Sequence, residues 1–221
     1  MKIEVLDITP NSEVLIEKIA RVCYNSKARG EKARKAFLSS VIKRGHTSVI
    51  EHAKATFLIS GVSRALTHQL VRHRIASYTQ RSQRYCNETE KELTVVNKDG
   101  TEELKKVHTS MFSWMMPETI SGTALGDDYI DLMAKIGKFY NKAVEAGVPN
   151  EDARYVLPNA CLTTIAMTMN FRELRSFIDL RSDSHAQWEI RELSDQILKI
   201  MYKEAPTIFG DLYEKYIEKK D

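Results

Sequence analysis

The sequence predicts an α+β fold, in which several helices accompany a small, mostly antiparallel sheet. Two observations support this class. Helical stripes of apolar residues recur at irregular intervals, and the strand-like segments are few and short, unlike the regular strand–helix alternation of a parallel sheet. A chain of 221 residues, 43% of them hydrophobic, is long enough to bury a sizeable core. We therefore expect a single domain spanning residues 1–221, with an irregular insertion at about 95–126.

The strand predictions rest on alternation and on turn residues. Residues 2–8 alternate well enough to form a strand, and the short apolar segment 53–60 predicts a second strand that Gly61 ends. Residues 161–169 are apolar and rich in threonine, so they form either a strand or a buried helix. Residues 77–85 predict an extended segment or loop, and Lys98-Asp99-Gly100 is typical of a hairpin turn.

The helix predictions rest on apolar positions spaced three and four residues apart and on capping residues. Ser12, Ser63 and Asn170 are predicted to cap helices at their first turns, and Gly45 and Gly147 to end them. The predicted helices cover about residues 12–24, 31–43, 63–73, 127–146, 151–156, 171–180, 186–202 and 206–218.

The composition argues against several classes of protein, namely nucleic-acid-binding, membrane-spanning and disulfide-rich proteins. The formal net charge of +3 permits an anionic small ligand but is too weak to indicate a nucleic-acid coat. No apolar stretch has the length that a membrane span needs, and the first residues do not resemble a signal peptide. The three cysteines, Cys23, Cys86 and Cys161, are widely spaced, which is typical of reduced thiols. We expect a cytoplasmic protein without a membrane or nucleic-acid partner.

A first group of basic residues follows the predicted helix 63–73. Arg72-His73-Arg74 ends this helix, and Arg64, His68 and Arg72 have the spacing of a single helical face. Arg81, Ser82 and Arg84 follow. Arginine carries planar forked donors that suit phosphate oxygens, and hydroxyl groups complete such sites. The group indicates an anion-binding site. The alternative is a solvated basic surface with ion pairs, and the clustering of arginines alone does not decide between the two.

A second group of polar and basic residues lies far downstream. Arg154 adjoins an apolar run, so its guanidinium needs a counter-charge, which either a carboxylate or a ligand supplies. The members of this second group are Arg154, Asn170, Arg172, Arg175, Arg181, Asp183 and His185.

Several other site hypotheses find less support. Cys161 has no evident base nearby, so a buried inert thiol is a simpler interpretation than a nucleophile. The chain contains neither the glycine-rich dinucleotide motif nor a phosphate-binding P-loop motif. One alternative is a basic nucleic-acid-binding module, with Tyr78 and Tyr85 among the arginines. Another is a metal-dependent nucleotide hydrolase, although its histidines do not have a zinc-motif spacing. Its candidate ligands are His46, His52 and His73.

The order of these motifs resembles the flavin-dependent thymidylate synthases. The signature is Arg72-His73-Arg74 followed, after seven residues, by Ser82. Three further elements occur in the family's order, over residues 45–190. They are Gly45-His46-Thr47 with Glu51-His52, then Arg154-x-x-Leu157-Pro158, and finally Asn170-x-Arg172 with the segment from Leu180-Arg181 to Ile190.

The resemblance implies an activity, cofactors and partners. It implies the family's fold and the reductive methylation of dUMP to dTMP, with methylenetetrahydrofolate as carbon donor. Tightly bound FAD, reduced by NADPH, supplies the electrons, and uracil is activated without a cysteine nucleophile. The resemblance further implies a homotetramer whose active sites are shared between subunits, with no metal ion.

The resemblance also assigns site residues, and Arg181 is the residue that it places in catalysis, against the pyrimidine. Where some members have Glu, this chain has Gln80, and where some have Asn it has Ser176. The implied dUMP contacts are Gln69, Leu70, Val71, Arg72, Gln80, Arg81, Ser82, Gln83, Arg84, Arg154 and Arg181. The implied FAD contacts are Ser48, Arg72, His73, Arg74, Gln80, Asn170, Phe171, Arg172 and Ser176, with His185 as a further candidate.

Overall fold

The computed structural model describes residues 1–96, 102–109 and 111–220. These residues have the α+β fold that the sequence predicts, with many helices and a small four-stranded antiparallel sheet. The chain divides into two compact units. The first unit comprises Met1–Ser60, His68–Thr79 and Ile165–Asp221, and the second comprises Gly61–Thr67 and Gln80–Thr164.

The secondary structure follows the predicted order along the chain. The strands of the described residues are β1 (Lys2–Ile8), β2 (Lys54–Ser63), β3 (Ser77–Gln80), β4 (Glu90–Val96), β5 (Glu102–His108) and β6 (Leu162–Asn170). The helices are α1 (Ser12–Val22), α2 (Glu31–Lys43), α3 (Arg64–Leu70), α4 (Glu118–Ser121), α5 (Leu125–Glu145), α6 (Asn150–Ala153), α7 (Phe171–Arg181), α8 (Trp188–Glu204) and α9 (Pro206–Tyr216). Short 3-10 turns cover Thr47–His52, Arg154–Val156 and Glu218–Lys220.

The main sheet has the strand order β1-β2-β6-β3. In β1 and β2, Ile3 pairs with Ile59 and Val5 pairs with Phe57. The segment 161–169, for which the sequence left strand and helix open, forms most of β6. Buried and partly exposed residues alternate along β6, as they do in a strand with one face on the core.

Helices α7, α8 and α9 pack together beside the sheet in the first unit. Their contact is apolar and aromatic: Phe171 and Phe209 pack edge to face with ring centroids 5.3 Å apart, and Ile197 is fully buried. Asn170 caps α7 as predicted, because its side-chain oxygen accepts a hydrogen bond from the backbone N–H of Glu173 at 2.9 Å. This cap fixes the direction in which α7 leaves β6.

Helix α3 begins as predicted and ends earlier. The Ser63 hydroxyl oxygen accepts a hydrogen bond from the Leu66 N–H at 3.0 Å, but the helix stops at Leu70 instead of continuing to residue 73. The carbonyl of Leu70 accepts from the Tyr78 hydroxyl at 2.8 Å and from the His73 N–H at 3.2 Å, so a side chain and a tighter turn satisfy it in place of a further α-helical turn. The predicted helical face with Arg64, His68 and Arg72 is therefore wrong, since Arg72 lies beyond the helix.

Two local predictions about helix and strand ends are also wrong. Gly61 does not end β2, because the strand accommodates its positive φ of 69° and continues to Ser63. Ser12 does not cap α1 but is its first helical residue. Asn11, with a φ of 50°, precedes the helix, and its carbonyl accepts from Val14 at 2.9 Å and from Leu15 at 3.1 Å.

The second unit contains the hairpin of β4 and β5, which pair antiparallel from Glu90 with His108 to Val96 with Glu102. The predicted turn Lys98-Asp99-Gly100 lies outside the described residues. The long helix α5 covers a small apolar cluster formed by Phe112, Met133 and Cys161. The segment predicted as an insertion thus contains β5 and α4, while its role as an insertion stays a prediction.

Candidate functional site

In the first unit, the chain that follows α3 meets the end of α7. Arg181 donates from Nε to the Nε2 atom of His73 at 3.0 Å, and its Nη2 lies 3.5 Å from the carbonyl oxygen of Gln69. Arg181 also lines a cleft of about 380 Å³ whose wall includes Asp183 and His185. Three residues that the resemblance assigned to ligand binding, Gln69, His73 and Arg181, are thereby brought together.

The side chains of His73 and Tyr78 are both neutral near pH 7, and Arg181 is the cation beside His73. Burial lowers the pKa of His73, and the charge of Arg181 lowers it further, so the imidazole is neutral near pH 7. Burial raises the pKa of Tyr78 to about 12, so this phenol keeps its proton. Tyr78 can therefore donate to the carbonyl of His73, at 3.0 Å, as well as to that of Leu70.

The first turns of α7 carry a second group of predicted ligand contacts. Arg172 donates from Nη1 to the Glu51 carboxylate at 2.5 Å, and the Ser176 hydroxyl donates to the carbonyl of Arg172 at 3.2 Å. Arg175 instead forms a forked ion pair with Asp211, with nitrogen–oxygen distances of 2.6 and 2.7 Å. Arg175 therefore has a structural role in joining α7 to α9.

Two clefts share Thr47 and Arg172 in the first unit. One, of about 340 Å³, is lined by Ser48, Val49 and residues at and just beyond the ends of α1 and α2, among them Ala20, Tyr24 and Val41. The other, of about 300 Å³, is polar and includes Ser176. Together they offer apolar walls beside a guanidinium and hydroxyl groups.

In the second unit, Arg84 and Arg154 both bind Glu151 of α6. Arg84 donates from Nε to the Glu151 carboxylate at 3.0 Å, and its Nη2 lies 2.9 Å from the same oxygen. Arg154 donates from Nε to the backbone carbonyl of Glu151 at 3.1 Å. The Ser82 hydroxyl oxygen accepts from the Arg84 backbone N–H at 3.2 Å. Arg154 thus contacts a neutral backbone carbonyl and not the counter-charge that the sequence predicted for it, and the carboxylate of Glu151, a residue that was not predicted, pairs with Arg84.

The two glutamines of the signature segment are held by neighbours within the second unit. Gln80 donates from its amide to the hydroxyl of Thr67 at 3.0 Å and lies 3.4 Å from that of Thr163. Gln83 contacts the sulfur of Cys161 at 3.6 Å. Both amides are therefore oriented by buried polar atoms.

Sequence reasoning missed a buried charged group beside these residues. The Glu88 side chain is only 4% exposed, and its carboxylate lies 3.9 Å from Arg81 Nη2. Burial raises the pKa of Glu88, against the opposing charges of Arg81 and Arg64. Arg64 in turn donates from Nη2 to the carbonyl of Arg81 at 2.8 Å. No motif or spacing marks Glu88, because its burial results from tertiary packing.

Cys161 is fully buried, and burial raises the pKa of its thiol to about 12. A thiol with that pKa is protonated near pH 7 and is a poor nucleophile. The structure thus favours the interpretation of Cys161 as part of an apolar cluster with Phe112 and Met133.

Each predicted site residue has a definite place in one of the two units. Leu70 and Phe171 are fully buried, so only their backbone groups are available to a ligand. The first unit contains Ser48, Gln69, Leu70, Val71, Arg72, His73, Arg74, Asn170, Phe171, Arg172, Ser176, Arg181 and His185. The second unit contains Gln80, Arg81, Ser82, Gln83, Arg84 and Arg154.

One alternative hypothesis, the metal-dependent hydrolase, requires a group of metal ligands. Within the described ranges, no three or more His, Cys, Asp or Glu side chains are grouped so that they could hold a metal ion. His46, His52 and His73 are accordingly not assembled as a ligand set. Among the helices of the part of the chain that the structure describes, none has the length and apolar character to cross a membrane.

The fold and these groups of residues define an α+β protein with two candidate anion-binding sites that contain arginines, one in each unit. The family described as thymidylate synthase complementing protein matches residues 4–207. A flavin-dependent thymidylate synthase of Geobacter sulfurreducens is 42% identical over 219 residues, which is 96% of this chain and 86% of that protein. The enzyme of the same name from Clostridium tetani is 39% identical and covers 95% of this chain and 85% of its own length.

A further relative with the same name, from Pyrococcus abyssi, is 42% identical over 170 residues, which is 76% of this chain and 63% of that protein. The chain belongs to the thymidylate synthase complementing protein family. The predicted family and the prediction of an enzyme are both confirmed.

Proposed function

We propose that the chain methylates dUMP reductively to dTMP, with methylenetetrahydrofolate as carbon donor and NADPH-reduced FAD as electron source. The observation that carries the proposal is the shared contact of Arg84 and Arg154 with Glu151, in a chain of this family. Relatives named flavin-dependent thymidylate synthase match nearly the whole chain, which supports the same activity here.

The phosphate of dUMP is assigned to the second unit. Arg84 and Arg154 provide two guanidinium groups around one residue, and Ser82 adjoins Arg84. Forked guanidinium donors suit phosphate oxygens, and a dianionic phosphate binds them more strongly than a single carboxylate does. We therefore expect Ser82, Arg84 and Arg154 to bind the phosphate, with Arg81, Gln80 and Gln83 completing that part of the substrate site.

The pyrimidine is assigned to Arg181. A guanidinium held in one orientation stabilises negative charge that develops on the ring at N3 and its neighbouring oxygen, and this charge makes C5 a better carbon nucleophile. The hydrogen bonds from Arg181 to His73 and Gln69 supply that orientation. Gln69, Leu70, Val71 and Arg72 belong to the same proposed site.

The residues of the first unit suit FAD, whose rings are apolar and whose diphosphate is anionic. The clefts that share Thr47 and Arg172 pair apolar walls with a guanidinium and hydroxyl groups, as such a ligand requires. Ser48, Arg172 and Ser176 would hold the cofactor there. His73, Arg74, Asn170 and the backbone of Phe171 are further proposed contacts. Bound FAD would supply the reducing equivalents that it receives from NADPH.

The proposal needs no enzyme nucleophile. Cys161 is buried, its thiol pKa is raised to about 12, and it contacts Gln83 and apolar residues. We further propose a cytoplasmic homotetramer with active sites shared between subunits, as the resemblance implies.

Release of hydrogen from C5-labelled dUMP tests the activity. Purified protein supplied with FAD, NADPH and methylenetetrahydrofolate should release the label and form dTMP. Omission of either NADPH or the folate should abolish the formation of dTMP, and denatured protein is the matched control. No release with all components present, from a folded protein that shows a flavin spectrum, would refute the proposed reaction. A colourless protein that takes up no FAD would instead favour the nucleic-acid-binding alternative.

A further inference from the structure

The middle residue of Arg72-His73-Arg74 contacts Arg181, although 108 residues separate His73 from Arg181 in the chain. Arg181 Nε lies 3.0 Å from His73 Nε2, and both side chains are partly buried. A guanidinium has donors and no acceptor, so the imidazole must accept this hydrogen bond. His73 is therefore neutral in this arrangement, and its remaining proton is on Nδ1.

His73 is itself held from three directions. Its backbone N–H donates to the carbonyl of Leu70 at 3.2 Å, and its carbonyl accepts from the Tyr78 hydroxyl at 3.0 Å. Its ring packs edge to face on the buried Phe177, with centroids 5.1 Å apart. An acceptor that is fixed in this way restricts the orientation of the guanidinium that donates to it.

The hydrogen bonds of Arg181 leave part of its fork for a ligand. Nε donates to His73, and Nη2 lies 3.5 Å from the carbonyl oxygen of Gln69. Within the described residues, Nη1 makes no hydrogen bond, so this nitrogen is available to a ligand in the cleft that Arg181 lines. The planar guanidinium has one orientation once Nε is held.

We propose that His73 is a positioning residue that orients Arg181 towards the pyrimidine of dUMP by accepting the hydrogen bond from Nε. This inference rests on the proposed function. It predicts that an acceptor at the place of Nε2, and not the imidazole ring as such, is what substrate binding requires.

The contact should fail when His73 gains a proton. An imidazolium has no lone pair at Nε2 and repels the adjacent guanidinium. The charged or titratable groups around His73 are Arg181 from α7, Tyr78 from β3 and, along the chain, Arg72, Arg74 and, in α3, His68. The hydrogen bonds of His73 and Arg181 with α3 are to the carbonyl groups of Leu70 and Gln69, respectively. Burial and Arg181 both lower the pKa of His73, which puts the expected loss of substrate affinity below its ordinary value of 6.5.

The test compares His73→Gln with His73→Asn in the flavin-loaded protein, with FAD in excess. Because His73 is also a proposed FAD contact, the absorbance of bound flavin is measured in both variants and dUMP is titrated into protein of equal flavin content. The longer glutamine can place an acceptor near the position of Nε2, whereas asparagine is too short. Isothermal calorimetry should give His73→Gln a dUMP affinity close to that of the wild type. His73→Asn should lose about tenfold or more, the factor that corresponds to about 1.4 kcal/mol.

A pH series supplies the readout that a merely structural role would not change. The wild-type dUMP affinity should fall on acidification because both His73 and the dUMP phosphate, whose second pKa is about 6, gain a proton. His73→Gln should show a smaller acidic loss, the part due to the phosphate alone, because the amide does not titrate. Equal affinities of the two variants, or an unchanged acidic step in His73→Gln, would overturn the inference. If His73→Asn does not fold, the pH series of His73→Gln decides alone. A wild type that binds no dUMP would instead refute the proposed function.

Discussion

Arg84 forms an ion pair with Glu151 in which one carboxylate oxygen accepts a hydrogen bond from Nε at 3.0 Å and lies 2.9 Å from Nη2. Both side chains are about half exposed, at 53% for Arg84 and 49% for Glu151. Ion pairs at such exposed positions contribute little to folding, because water screens them and two long side chains must be ordered. We therefore expect the Arg84–Glu151 pair to affect ligand binding more than folding, because the carboxylate competes with a phosphate for Arg84.

Replacement of Glu151 by glutamine should strengthen the binding of dUMP. The variant removes the competing charge from Arg84 and leaves the backbone carbonyl that holds Arg154. We expect the KM for dUMP to fall by about two- to fivefold, in keeping with the worth of an exposed ion pair. Steady-state kinetics at constant ionic strength measures the change.

Asp152→Asn is the matched control for Glu151→Gln, since it removes the same charge from the adjacent position of α6. Its KM should change less than that of Glu151→Gln. Binding of deoxyuridine, which has no phosphate, should respond to neither substitution. A higher KM in Glu151→Gln would mean that the carboxylate aligns Arg84 for the ligand and does not compete with it.

Arg181→Ala should lose turnover while it retains FAD. The proposed partner of Arg181 is the pyrimidine, although Arg181 also donates to His73, a further proposed flavin contact. The proposed flavin contacts Ser48, Arg172 and Ser176 lie at other clefts and should still hold the cofactor. Removal of a charged donor to a developing anion costs about a hundredfold or more in rate. Arg181→Lys should recover only part of this loss, because an ammonium lacks the planar fork. Absorbance of bound flavin and single-turnover rates check both points, and loss of flavin from Arg181→Ala would contradict the assignment.

Cys161→Ala should remain active, with kcat within about twofold of the wild type. A thiol with a pKa of about 12 is ionised only to about 10⁻⁵ at pH 7, so it offers almost no thiolate. Alkylation of the native protein should accordingly modify the exposed Cys23 long before Cys161, as peptide mass spectrometry would show. A folded but inactive Cys161→Ala protein would restore the nucleophile hypothesis.

Tyr78→Phe should lower the free energy of unfolding by about 1–2 kcal/mol, the usual effect of losing hydrogen bonds to buried carbonyls. The substitution removes the hydroxyl that donates to Leu70 and His73. Urea denaturation at pH 7 measures the loss. No loss of stability would show that water replaces the hydroxyl at little cost.

The same phenol should also produce a pH dependence on the alkaline side. The pKa of Tyr78 rises from its ordinary value of 10 to about 12 in the folded protein, so folding favours its protonated form. This contribution is complete below pH 10 and is lost as the pH rises towards 12. The free energy of unfolding of the wild type should therefore fall more than that of Tyr78→Phe across this interval. The difference between the two proteins separates the effect of Tyr78 from that of the other tyrosines.

Local chemistry made much of the fold predictable. The caps at Ser63 and Asn170, the ends of helices at Gly45 and Gly147, and the alternation in β1 depend on neighbours within a few residues, which the sequence contains. The end of α3 at Leu70 was not predictable in this way. It depends on the Tyr78 hydroxyl, which reaches back from another element to the last helical carbonyls.

By itself, the sequence determined the fold class, the family and the set of arginines that we propose as anion-binding residues, because these depend on periodicity and on residue types at fixed spacing. Only the tertiary structure decided which partner each arginine has. Arg84 meets Glu151 and Arg181 meets His73 because packing brings together residues that are 67 and 108 positions apart. It also decided the state of Cys161 and Glu88, since burial shifts their pKa values and burial arises only when the whole chain folds.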